Sequence, residues 1–167
     1  GAGGSDVWLL KFDGALDWDQ TFGLPPGQEP LDQTANDVVC LADGGFLVLG
    51  TTELTAGGAP VGWLVRVSSD GEKLWDETTD GWIPYSGQFV APNQAVLGRT
   101  GSVALVDIEA GMTESWSTEI VGGSGTPLDA RAVLPIWKGF VVGAGLTGLP
   151  PQGALARLDE DGQLPCP

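Results

Sequence analysis

Short apolar runs of four to six residues follow one another along this chain, each cut off by Gly, Pro or an Asp-Gly pair. No stretch sustains a 3.6-residue period over helical length. β-Branched and aromatic residues concentrate inside the runs, and turn-forming residues lie between them. That pattern predicts an all-β fold with regularly spaced turns.

The runs pair into two kinds of hairpin. One ends in tryptophan. Trp8-Leu9-Leu10-Lys11-Phe12 leads through Gly14 to Trp18, Trp63-Leu64-Val65-Arg66-Val67 through Asp70-Gly71 to Trp75, and Ala104-Leu105-Val106 through Gly111 to Trp116. A fourth copy, Ala154 to Leu158, runs through Asp161-Gly162 to Cys166, which stands where the tryptophan would be. The other kind is Val38 to Leu41, Asp43-Gly44-Gly45, then Phe46 to Gly50. Asp-Gly between apolar runs is a strong hairpin signal, because Gly accepts the positive φ of the turn. This kind recurs at Phe89 to Gly98, with Pro92-Asn93 in the turn, and at Ala132 to Val142, with Lys138-Gly139. Matching Gly50 to Gly98 and Phe46 to Phe140 sets a period of about 47 residues.

Two hairpins per period make four strands, the size of a β-propeller blade. Hairpins are expected near 8–22, 37–50, 63–78, 86–98, 103–118, 130–143 and 154–166. Outer pairs alternate with inner pairs, giving three complete four-stranded antiparallel blades and one unpaired outer hairpin. The prediction is a single domain over 1–167, about three and a half blades of a propeller. Half a blade leaves an open strand edge. The ring therefore needs completion by further sequence, a second polypeptide or another copy, of which a longer parent chain is favoured. The chain begins at Gly1 without methionine, which reads as a processed or excised piece.

Charge narrows the partners. There are 22 acidic and 7 basic residues, a net charge of −15. Such a surface repels phosphate, which argues against nucleic acid and anionic lipid. No histidine is present, which removes a Ser-His-Asp triad and His-ligated metal sites. No apolar run approaches the length of a membrane span. The two cysteines, Cys40 and Cys166, are too few for a zinc motif. They are open to a mutual disulfide, to free thiols, or to pairing outside the chain.

Gly4 to Asp13, Asp43 to Gly50 and Gly62 to Trp75 carry a resemblance to the bacterial seven-bladed β-propeller repeats of secreted and surface proteins. Trp18 to Gly23 is similar to the tail of that repeat. The resemblance extends over 1–80 and 130–166 and weakens over 81–128. It implies a propeller fold and a secreted or cell-surface location, and it brings no shared catalytic motif.

The repeat phase of Trp18, Trp75 and Trp116 favours packing between blades over ligand stacking. Trp82 and Trp137 fall outside that phase and, with Tyr85, are the candidate contact residues for a protein or glycan. Asp159-Glu160-Asp161-Gly162 resembles the opening of a calcium loop but lacks the later ligands. Asp159 and Asp161 are thus weak calcium candidates, and no other cofactor is implied. Ser68, Asp70 and Trp75 partly resemble the sialidase Asp-box, with Glu72 and Leu74 in place of its Gly and Thr. Asp70 to Trp75 is also close to a hairpin shared by quinone-dependent propellers, but it lacks that hairpin's Thr-Gly pair. Gly122 to Gly125 has no following helix to make a phosphate cradle.

The expected function is a non-catalytic module for protein or glycan binding, or for structural assembly. The alternative is a sialidase-like hydrolase or lyase with its site on the central channel. An enzyme of that kind would bring Arg99 and Arg131 together with an acidic pair such as Glu114 and Glu119.

Overall fold

A computed structural model describes residues 5–23, 31–55, 57–122, 125–145 and 153–163. These residues form thirteen strands and no helix. The strands build antiparallel sheets of two to four strands. β1 (Val7–Asp13) and β2 (Ala15–Phe22) make the first sheet. β3 (Gln33–Cys40), β4 (Phe46–Thr52), β5 (Val61–Val67) and β6 (Lys73–Thr78) make the second, in chain order. β7 (Pro84–Ala91), β8 (Gln94–Arg99), β9 (Ser102–Asp107) and β10 (Thr113–Glu119) repeat that order in the third. β11 (Asp129–Ile136), β12 (Gly139–Gly145) and β13 (Gly153–Leu158) make the fourth. The end of the hairpin expected at 154–166, including Cys166, lies outside the described residues. Cys40 is exposed.

The turn residues act as their chemistry dictates. Gly44 turns at φ +81° between β3 and β4, and Asn93 at φ +61° between β7 and β8. Asn tolerates the left-handed region better than most residues, so it can stand in for Asp-Gly here. Register corrects one expected match. Gly50 lies opposite Trp63, but Gly98 lies opposite Val103, and Arg99 faces Ser102. Anchoring both sheets on the pairs Arg66–Trp75 and Leu105–Trp116 therefore equates Gly50 with Arg99. Gly98 is the counterpart of Leu49 instead, and the offset between the two hairpins is 49 residues on both sides of the turn.

Apolar faces stack sheet on sheet in three clusters. Val7, Phe22, Leu9 and Trp18 of the first sheet cover Val48, Trp63, Val65 and Val67 of the second. Leu47, Leu49, Leu64 and Trp75 cover Ala95, Leu97, Ala104 and Val106 of the third. Val96, Val103, Leu105 and Trp116 cover Phe140, Val142, Ala144 and Leu158 of the fourth. The repeated tryptophans thus pack between sheets, as their phase predicts. A bulge immediately precedes each in register: Asp17, Leu74 and Ser115 are the extra residues. The bulge re-aims the following side chain. Trp18 meets Phe46 edge-on with centroids 5.7 Å apart, and Trp116 lies 6.3 Å from Phe140.

Candidate functional site

The first strands of the second, third and fourth sheets lie side by side, β3 on β7 and β7 on β11. Each has one edge that is not paired within its sheet. Each also carries a bulge near its start, and the extra residues are Asn36, Tyr85 and Arg131. Bulges at equivalent places redirect three side chains into one row.

Asn36 Nδ2 donates to the Pro84 carbonyl at 2.7 Å, and Gly87 N–H donates to Asp37 Oδ2 at 2.9 Å. Two side chains of β3 therefore satisfy backbone groups on the open edge of β7, where a fifth strand could otherwise pair. The Arg131 guanidinium lies 3.6 Å from the Tyr85 ring centroid and pairs with Asp129 at 2.7 Å. A cation held on an aromatic face keeps its remaining N–H groups available at the rim. Asn36, Tyr85, Arg131 and Asp129 form a continuous polar and aromatic row, a surface suited to hydrogen bonding and stacking.

Of the candidate contact residues, Tyr85 stands in this row. Trp82 lies two residues before β7 and packs into the core between the second and third sheets. The Arg99 guanidinium covers its ring at 4.7 Å. Trp137 sits in the β11–β12 turn, at the opposite end of the strands from Tyr85, and is 85% exposed. Arg99 pairs with Glu114 at 2.6 Å and donates to Ser102 Oγ at 2.8 Å. Burial pushes the Glu114 carboxyl up, but the Ser117 hydrogen bond and Arg99 outweigh it, leaving its pKa below the ordinary value. Arg131 is committed to Tyr85 and Asp129, so the two arginines serve separate pairs.

Asp159 Oδ1 accepts backbone N–H bonds from Asp161 at 3.1 Å and Gln163 at 2.8 Å. That carboxylate organises its own turn. Among the described residues, no three His, Cys, Asp or Glu side chains gather as metal ligands. At the far end of the strands a cleft of about 270 Å³ lies between Leu41, Asp43, Arg66 and Asn93. Arg66 there is spent on Asp43 and on the Phe46 and Val67 carbonyls. The Gly45 N–H lowers the Asp43 pKa; modest desolvation opposes this and Arg66 assists it.

No helix among the described residues is long and apolar enough to cross a membrane. No family model matches this sequence, and no curated protein matches it.

Sequence reasoning singled out Tyr85 but missed Asn36 and Asp37. Their role depends on bulges that the apolar pattern does not encode. The available signal was polar residues at the start of a predicted inner strand.

Proposed function

We propose that this chain is a segment of a β-propeller serving as a non-catalytic binding or assembly module, secreted or on the bacterial cell surface. One observation carries the reading. The exposed apolar residues at the two ends of the stack occupy repeat positions that neighbouring sheets cover inside it. Trp8, Leu10 and Phe12 are 61%, 36% and 67% exposed, and register equates them with the buried Trp63, Val65 and Val67. Leu155, 80% exposed, corresponds to Leu64, which is fully buried. Exposed apolar patches of this kind mark interaction surfaces. Further β-sheets of the same repeat type, from the same polypeptide or another, fit both faces. The row at Asn36, Tyr85 and Arg131 would then line the inner rim, where a protein or glycan ligand can hydrogen-bond and stack. The acidic surface favours basic partners.

Native mass spectrometry of the chain tests the reading. Association into oligomers, or capture of further repeat sheets from its parent polypeptide, is the expected result. A chain that stays monomeric and binds no hydrophobic dye overturns it.

A further inference from the structure

Gln33 breaks the repeat. Register equates it with Trp82 in the third sheet and Leu128 in the fourth, each two residues before the paired residue that precedes the bulge. Trp82 packs in the core, and Leu128 is 1% exposed. Gln33 is equally hidden at 3% exposed, yet it carries an amide. Its Nε2 donates to Thr52 Oγ1 at 3.2 Å, and the Thr52 hydroxyl donates to the Glu53 carbonyl at 3.2 Å. A hydroxyl already donating can only accept from the amide, so the orientation of the amide is fixed by this chain of bonds. Gln33 Oε1 is left buried without a partner. An unmade bond at a buried acceptor is costly. An apolar residue serves at the same position twice in this chain, so packing alone does not explain the glutamine.

Gln33 lines a cleft of about 280 Å³ together with Thr52, Glu53, Leu54, Trp63 and Asp76. Its polar side chains present acceptors. Glu53 Oε2 takes the Gly57 N–H at 3.1 Å. Asp76 Oδ2 takes the Trp63 indole N–H at 3.2 Å, and its Oδ1 pairs with Lys73 at 2.9 Å. Among the described residues no Lys or Arg lines the cleft. Leu54, 61% exposed, supplies an apolar rim. A complementary ligand must donate hydrogen bonds and carry positive charge. Hard divalent cations want six or more oxygens, whereas among the described residues two carboxylates line this cleft. The volume sits at the lower end for small-molecule sites and suits a head group rather than an extended ligand.

We infer that this cleft binds an organic cation, an ammonium or guanidinium group, with Gln33 Oε1 as hydrogen-bond acceptor and Glu53 as counter-charge. The net charge of −15 concentrates such cations near the surface. The inference stands independently of ring completion, because every residue it uses lies within the first two sheets or in the segments that join their strands.

Isothermal titration of the whole chain tests it with three probes: agmatine, acetyl-Gly-Arg-Gly-amide, and the same peptide with neutral citrulline replacing arginine. Both cations should bind saturably, and the citrulline peptide at least about tenfold more weakly. Gln33→Leu should weaken the cations about tenfold while leaving thermal stability equal or higher, since leucine already serves this position in the fourth sheet. Glu53→Gln, farther from the core, should weaken them as well and gives a second readout if Gln33→Leu folds poorly. A peptide binding more tightly than agmatine identifies a protein side chain as the source; equal affinity identifies a small amine. Equal binding of the arginine and citrulline peptides overturns the inference. So does absence of saturable cation binding at millimolar concentration, or undiminished affinity in both variants.

Discussion

Gly71 carries the edge of Trp18 from the neighbouring sheet: a Cβ on Gly71 would stand 3.0 Å from Trp18 Cδ2. The Trp18 indole N–H meanwhile donates to the Ser69 carbonyl of the same turn at 2.9 Å. Gly162 stands in the same relation to Trp116, with a Cβ only 2.5 Å from Cε3. The residue two after each tryptophan joins the latch. Gln20 Cγ lies 3.1 Å from the Gly71 Cβ position, the Glu77 carboxylate accepts the Met112 N–H at 3.1 Å, and Thr118 donates to the Gly162 carbonyl at 2.5 Å.

These glycines therefore answer two demands, a positive φ and a close neighbour, and the two can be separated. Gly14 and Gly81 turn at φ +74° and +79° with nothing within 4 Å of a Cβ. Replacing either with alanine should cost about 1 kcal/mol from backbone strain alone. Gly71→Ala and Gly162→Ala add a clash with an indole and should cost a further 1–3 kcal/mol or so. Urea denaturation of the four variants measures the difference. Equal costs at all four sites would show that the tryptophans yield freely.

The Asp37 carboxylate holds the open edge of β7 through the Gly87 N–H. Asp37→Ala should leave that donor unpaired and cost about 1–2 kcal/mol. The local signature is sharper than the global one. Amide exchange at Gly87 should accelerate, while that of Val65 in the second-sheet core changes only through overall stability. Unchanged protection at Gly87 would mean that the hydrogen bond is not what shields it.

The all-β class and the antiparallel hairpins were legible because each turn announces itself, as at Asp43-Gly44 and Asp70-Gly71. The packing role of Trp18, Trp75 and Trp116 was legible from phase alone. What escaped was register. The bulges at Asn36, Tyr85 and Arg131 shift pairing by one residue, and an apolar pattern of period two reports which residues are inside but not where one is added. Trp82 looked available because it falls outside the repeat phase. In three dimensions Arg99, itself held by Glu114, closes over its ring. The Gln33 site was invisible for a related reason: only register shows that a glutamine occupies a position that is apolar elsewhere.

Glu114 and Asp43 both hold protons less tightly in the folded state than their ordinary values imply. As pH falls, the unfolded chain takes up protons first, so their contribution is full above about pH 5 and is lost as pH drops through and below about 4. Both side chains are more than a third exposed, 39% and 60%. Solvent screening therefore holds each contribution under about 1 kcal/mol. Urea midpoints measured between pH 6 and pH 3 (about the span of carboxylate titration) should decline. Glu114→Gln should flatten part of that decline. An unaltered slope in the variant would remove Glu114 from the account.

Leu64 and Leu155 occupy one repeat position in two environments. Leu64 is sealed beneath the third sheet at 0% exposure, and Leu155 stands on the bare face of the fourth at 80%. Truncating Leu64 to alanine removes a fully packed side chain and should cost about 2–5 kcal/mol. The same change at Leu155 should alter the stability of the isolated chain by no more than about 0.5 kcal/mol. Its effect belongs to association, since that side chain is buried only when another sheet covers it. Leu155→Ala should therefore weaken any oligomer or complex seen by sedimentation while leaving the urea midpoint of the dissociated chain in place. A Leu155→Ala variant that associates normally would show that this face, despite its repeat position, is not where another sheet docks.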